Sequence, residues 1–333
     1  MALLKDLLTE NIGENERWLI EYLVPLGEIT ALYAPKDHHK TSVALKMAME
    51  VITGGKELGA SKTGKVMYYA LDNPNRTEMI NRVLALMETS YPDHLEEIGL
   101  NLNISWPRLN LTTHIYQEET DDDGNIDIYE SKYWHDLGQK LVIGGYRFLI
   151  IDTLSKSIVG AGINDDAVIR KVIEHLRRVI SGAVDRISIL IVHHTGKDAR
   201  KGMMGSSILK NDLSTVLKIK KNKDGFELVR EAHKSAYSGK SIPFKGRTVV
   251  LEKNDKSYKS VYIDIGTGLD EFDAQIVEQF NKGLSKKEIN GNTRLLGLGN
   301  NTTDKSFAVS FNRRWNKLID KGFIENKKQD NKI

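Results

Sequence analysis

The chain has 333 residues, 40% of them hydrophobic and 28% charged, with a net charge of +3 and no cysteine. That length favours two domains and supplies a sizeable core. The absence of cysteine excludes disulfides and thiolate metal sites, and no run of about 18 apolar residues is present to span a bilayer. A charge of +3 is too small to argue for nucleic acid by itself. It falls in the tail, where residues 270–333 carry 12 Lys and Arg against 9 Asp and Glu. Residues 1–11 lack the apolar stretch of a signal peptide, so a soluble, cytoplasmic protein without a membrane partner is expected.

Along the chain, residues 1–20 read as a short helix and a lead-in ending at Trp18-Leu-Ile. Residues 27–34 form an apolar strand. Residues 41–52 follow with Val43, Ala44, Met47, Ala48 and Val51 at the period of a helix. A second strand spans 65–71, rich in β-favouring residues. Then come a helix over 76–89, a strand over 100–106, an acidic loop over 118–127, a helix over 133–144 and a buried strand over 147–152. An amphipathic helix over 167–181 leads to another buried strand at 187–192, and further strands are expected at 213–220, 226–232 and 249–252. Short apolar strands alternating with helices predict an α/β domain with a mostly parallel sheet covered on both faces. Gly266-Thr-Gly268 reads as a linker, which places the domains at 1–268 and 269–333.

Between the first strand and the first helix lies Ala34-Pro35-Lys36-Asp37-His38-His39-Lys40-Thr41-Ser42. A phosphate-binding loop needs this context, because backbone N–H groups at a helix N-terminus receive the phosphates. Lys40 would neutralise β/γ-phosphate charge and the Thr41 hydroxyl would ligate Mg²⁺. Ala34 and His39 stand where the G-x-x-x-x-G-K-[ST] pattern has glycines, which tolerate positive φ. A solvated turn therefore remains the competing reading of this segment. Asp152 ends an apolar strand and is a candidate to hold the Mg²⁺ water shell. Asp72 ends the strand expected beside the phosphate-loop strand and is a candidate base for an attacking water. A plain strand-end turn is its alternative.

Residues 119–130 approximate a calcium loop, with carboxylates at positions one, three and five, Gly124 at six and Glu130 at twelve. The segment before them reads as extended, so an acidic hairpin turn competes with calcium binding.

Several segments together resemble one family. Trp18-Leu-Ile-Glu-Tyr-Leu-Val-Pro-Leu-Gly27-Glu, Leu149-Ile-Ile-Asp-Thr-Leu-Ser155, Ile189-Leu-Ile-Val-His-His-Thr-Gly-Lys197 and Gly205-Ser-Ser207 resemble, in order and spacing, the RecA-like P-loop ATPases of the plasmid RepA helicase type. The resemblance covers about residues 15–250. It implies ATP hydrolysis at subunit interfaces of a homo-oligomer, a hexameric ring or a related assembly, with single-stranded DNA in a central channel. It also implies a γ-phosphate-sensing residue at His193 or His194, of which His194 lies closer to the loop, and a cation acting on the neighbouring subunit's site at Lys234. Residues 195–211, with Lys197, Arg200, Lys201 and Lys210, would be a DNA-contacting loop, and residues 155–166 a second channel loop. Asp72 stands where the family usually has Glu, one methylene longer. With Ala34 and His39, this departure bears on the rate of hydrolysis more than on the fold.

In the tail, residues 270–282 form an amphipathic helix, Ser285-Lys-Lys-Glu288 is a capping box, and 303–321 form a longer helix stopped by Gly322. A short strand at 323–325 would complete an arrangement resembling a winged helix. Lys305, Arg313, Arg314 and Lys317 would then contact DNA phosphates, or the module would dock replication proteins. The leading expectation is an ATP- and Mg²⁺-dependent DNA motor. A recruitment protein that has lost productive hydrolysis and a recombinase-like filament protein are the alternatives.

Overall fold

The computed structural model describes residues 17–72, 75–107, 109–111, 116–120, 126–130, 133–158, 165–182, 187–196, 202–203, 207–223, 225–233, 241–253, 256–265, 271–295, 304–320 and 324. The chain divides into two compact units, Met1–Ile265 and Gly266–Ile333.

The first unit is built on a nine-stranded sheet. A small antiparallel pair, β1 (Trp18–Ile20) and β2 (Val24–Pro25), leads into β3 (Ile29–Ala34) and helix α1 (Lys40–Thr53). Next come β4 (Lys65–Ala70), α2 (Arg76–Ser90), α3 (Leu95–Asn101) and β5 (Leu102–Ser105). A hairpin of β6 (Tyr116–Thr120) and β7 (Ile126–Glu130) precedes α4 (Tyr133–Ile143) and β8 (Tyr146–Asp152). The unit continues with α5 (Asp166–Ser181), β9 (Ser188–His194), α6 (Ser207–Asp212) and β10 (Thr215–Lys221). It ends with β11 (Phe226–His233), β12 (Ser241–Lys253) and β13 (Lys256–Ile265).

The strand order is β13-β12-β11-β10-β3-β9-β8-β4-β5. Pairing is parallel from β10 to β5 and antiparallel from β13 to β10. The five strands β10, β3, β9, β8 and β4 form the RecA-like core, a mostly parallel sheet covered by helices.

Strand alternation sorts the two faces. Leu32, Val66, Phe148, Ile150, Leu190 and Val192 face a core shared with α1 and α2. Ala31, Tyr33, Leu149, Ile151, Ile189 and Ile191 face a second core shared with α4 and α5. A strand buried on both sides reads as a continuous apolar run, as 147–152 and 187–192 do. Helix α1 is buried at every residue from Ser42 to Ile52, including Lys46 and Glu50. Their charges survive burial because Lys46 Nζ pairs with Glu57 at 3.0 Å and Tyr91 donates to Glu50 at 2.5 Å.

Three expectations change. Residues 100 and 101 belong to α3, so the strand expected from 100 begins at Leu102. The short strand expected at 249–252 is the end of a 13-residue strand that pairs with β13, which periodicity did not reveal. A two-stranded antiparallel ribbon with exposed polar residues lacks the apolar run used to find strands. The strand carrying Asp72 is also not beside β3, because β9 and β8 lie between them. Crossover connections let strands that are neighbours in sequence sit apart in a sheet.

The acidic segment is a hairpin, with Tyr116 opposite Glu130 and Thr120 opposite Ile126. Its turn, 121–125, lies outside the described residues, but strand stands where a helix-flanked calcium loop would have its first helix. No helix among the described residues is long and apolar enough to cross a membrane.

The second unit has α7 (Glu271–Asn281), α8 (Lys286–Leu295) and α9 (Asp304–Asp320) around Ile276, Ile289, Phe307, Phe311, Trp315, Leu318 and Ile324. The capping box is present: Ser285 N–H and Oγ both donate to Glu288. Of the strand expected at 323–325 only Ile324 is described. Phe311 is fully buried, so Phe311→Ala is expected to cost about 3–5 kcal/mol, roughly the whole stability that a core of this size supplies. Thermal unfolding followed by circular dichroism should then show this unit molten while the sheet unit melts as in wild type. Collapse of both transitions together would show that the units do not fold independently.

Candidate functional site

The carboxyl ends of β3, β9, β8 and β4 converge on one cleft of about 420 Å³. Ligands of parallel α/β sheets bind at this edge, where the strand order reverses. Here β3 is that point: the chain leaves it through α1 for β4 on one side, while β10 pairs with its other side. The cleft is lined by Lys36–Thr41 from the β3–α1 loop, Asp72 after β4, Asp152 and Thr153 after β8, and His194 ending β9, together with Glu78, Arg82 and Val261.

The β3–α1 segment has the shape of a phosphate loop. Asp37 and His39 adopt left-handed backbone, φ 62° and 57°, at a cost of about 1–2 kcal/mol each for residues carrying a Cβ. The pattern's second glycine position therefore does require positive φ, and His39 supplies it. Ala34, at the first glycine position, lies within β3 with no such demand. No side chain caps α1, and its first turn holds no acidic residue. The N-terminal N–H groups and the positive end of the helix dipole are thus left for an anion. Lys40 is 7% exposed and donates to the carbonyls of Ala34 (3.1 Å) and Pro35 (2.8 Å), which hold its ammonium at the cleft. Burial pushes its pKa down, and the carboxylates of Asp152, Asp72 and Asp37 oppose that.

Asp152 is 4% exposed, and its Oδ2 accepts from Thr41 Oγ1 at 2.7 Å and from Tyr68 at 2.6 Å. Burial raises its carboxyl pKa, and the two hydroxyls work in the other direction. Among the described residues, no cluster of three or more His, Cys, Asp or Glu could hold a metal alone. A hydroxyl beside one carboxylate suits Mg²⁺, which binds through one or two carboxylates plus substrate phosphates and keeps several waters. Opposite this pair, Asp72 Oδ2 lies 3.5 Å from His194 Nε2, and its Oδ1 lies 3.7 Å from Lys156 Nζ.

The fold thus brings together Lys40, Thr41, Asp72, Asp152 and His194. Of the two histidines, His193 is fully buried and His194 reaches the cleft, as alternation along a strand requires. Ser42, expected among the nucleotide contacts, is buried and does not line the cleft. Lys40 is not the exposed loop tip that its charge suggests. Lys197, Arg200, Lys201 and Lys234 lie outside the described residues. Lys210 is described, and pairs with Glu231 at 3.2 Å.

On α9, Arg313 is exposed and Arg314 stacks over Phe272 at 4.9 Å; the side chains of Lys305 and Lys317 lie outside the described set. Sequence reading missed Tyr68, Lys156, Glu78 and Arg82. The last two form an i,i+4 ion pair of 2.5 Å on α2, a pattern legible as helix support but silent about which cleft it faces.

Two solved structures share this architecture at low identity. One is the RadB recombinase: 14% identical, TM-score 0.42, covering 67% of this chain and 88% of that one. The other is the ATPase domain of a helicase: 15% identical, TM-score 0.44, covering 65% and 80%. No curated protein matches the sequence. A family described as AAA domain matches residues 4–200. That match takes in more than half of the chain, including the loop before α1, Asp72, Asp152 and His194, and this chain therefore belongs to the AAA-domain family.

Proposed function

We propose that the protein is an ATP- and Mg²⁺-dependent motor that acts on single-stranded DNA as a homo-oligomer, in a plasmid- or phage-type replication system. The observation that carries the reading is the meeting, at one edge of a RecA-like sheet, of a helix N-terminus with Lys40, the Thr41–Asp152 pair and the Asp72–His194 pair. Phosphoryl transfer needs little covalent chemistry from the protein; it needs positioning and charge stabilisation.

In this reading Lys36–Thr41 cradle the phosphates, and Thr41 and Asp152 hold Mg²⁺, which supplies charge neutralisation at the β- and γ-phosphate oxygens. Asp72 orients and deprotonates the attacking water, and His194, held against Asp72, registers the γ-phosphate. Lys234 of a neighbouring subunit completes the site in a hexameric ring. Lys197, Arg200 and Lys201 contact DNA phosphates, and Arg313, Arg314 and Lys317 add contacts from a winged-helix tail that also docks replication proteins.

One observation favours a second reading, a nucleotide-binding recruitment protein with weak hydrolysis. Both oxygens of Asp72 face cations, His194 and Lys156, so one must be released before the short carboxylate can orient water.

The test is ATP turnover of the purified full chain with and without single-stranded DNA, with the oligomeric state recorded in the same sample. Turnover is expected to be slow, stimulated by single strands regardless of sequence, and lost as salt rises. Asp72→Asn should lower it about 100-fold, while Asp72→Glu, longer by one methylene, should raise it, because small misplacements of a reacting group cost orders of magnitude. Turnover indifferent to DNA, with Asp72→Asn as active as wild type, would remove both the motor and the assigned base.

A further inference from the structure

We propose that His39 is a positioning residue, whose imidazole fills a niche on the antiparallel half of the sheet and so ties the phosphate loop to β11 and β12. The inference rests on the reading of this loop as a nucleotide site. It explains why a side chain stands where the loop's backbone calls for glycine.

The niche has three sides. Phe226 on β11 and Phe244 on β12 are register partners with rings stacked at 5.5 Å and 18°. The His39 ring meets both edge-to-face, at 4.8 Å and 84° from Phe226 and at 6.4 Å and 81° from Phe244. Such tilted pairs are favourable contacts between ring edge and ring face. Gly246, two residues beyond Phe244 and so on the same face of β12, closes the niche. A Cβ on Gly246 would overlap Nε2 of His39 and come within 2.5 Å of its Cε1. No other side chain at 246 leaves room for the ring. His38 adds a second contact, its ring 5.5 Å from Phe226.

Glycine at position 39 would adopt φ 57° without strain but would leave the loop's path to the backbone alone. His39 carries the strain, and the ring contacts offset it. Because His39 is the residue before α1, its placement fixes where the first N–H groups of the helix and the Lys40 ammonium point. The position of the phosphate cradle is therefore set in part by strands that contribute no residue to its chemistry.

Four full-length proteins test this: wild type, His39→Gly, Gly246→Ala, and the double variant. The dissociation constant for Mg·ADP is measured with a fluorescent nucleotide. His39→Gly is expected to weaken binding about threefold and Gly246→Ala, which drives the ring out of its niche, about tenfold or more, as loop misplacement does. The double variant should return to the level of His39→Gly, since no ring remains to clash. Effects that multiply in the double variant, or a Gly246→Ala protein that binds as wild type does, overturn the proposal.

Phe244→Leu, which opens the niche without a clash, serves if Gly246→Ala does not fold. It should weaken binding about threefold in wild type and not at all in the His39→Gly background. A second readout needs no nucleotide. The His39 ring proton resonances, assigned by their loss in His39→Gly, should be displaced by the facing Phe rings and should shift in Phe244→Leu. If the wild type binds no nucleotide, the site reading fails while these resonances still decide the niche; undisplaced resonances that ignore Phe244→Leu overturn it.

Discussion

Lys40→Ala is expected to weaken Mg·ATP binding at least about 100-fold, the loss of roughly 3 kcal/mol that accompanies a buried charge-assisted bond. In the free protein the ammonium bonds only to the carbonyls of Ala34 and Pro35, so it is parked where a phosphate would meet it. The same substitution should leave the melting temperature nearly unchanged. Burial pushes the Lys40 pKa down, which means that keeping it charged works against folding. Its removal relieves that cost, while the two carbonyls remain at the cleft edge within reach of water. Nucleotide titration and thermal unfolding of the same sample separate the two effects. A variant that binds Mg·ATP as wild type does would end the phosphate-loop assignment, and with it the motor.

Asp152→Asn should lower Mg²⁺-dependent turnover by about 100- to 1,000-fold, the range seen when one charge-stabilising group is lost. The carboxylate is the one acidic group bonded to Thr41, and its second hydroxyl donor, Tyr68, keeps its position when an amide replaces it. Burial raises the Asp152 pKa, so a neutral isostere should be accommodated at least as well by the fold. The measurement is turnover across a Mg²⁺ titration, with thermal unfolding as the control for folding. A curve that recovers fully at high Mg²⁺ would mean that Asp152 tunes affinity only; one indistinguishable from wild type would move the metal elsewhere.

Much of the sheet unit was legible because burial on two faces leaves a mark in one dimension. The runs at 147–152 and 187–192 are apolar at consecutive positions, and the helix at 41–52 repeats its apolar residues at the period of one face. The β3–α1 loop, Asp152 and His194 could be named because each sits at the end of such a run, where a parallel sheet presents its chemistry. The β12–β13 ribbon was largely illegible: among its described side chains, polar residues dominate and only a few are buried.

The sequence by itself determined the strand–loop–helix that carries Lys40 and Thr41, the carboxylates at the ends of β4 and β8, and the histidine at the end of β9. These are consequences of local pattern, since period and turn chemistry act over a few residues. Only the tertiary structure decided which strand ends meet. It separated β4 from β3 by two strands and still brought Asp72 to His194. It set Tyr68 against Asp152 across 84 positions of sequence, and it turned Glu78 and Arg82 of α2 into the cleft. It also placed Gly246 under the ring of His39, 207 positions away, so that a side chain could occupy a glycine's conformation. Such pairings depend on crossover connections and on close packing between distant segments, and neither leaves a periodic trace in the chain.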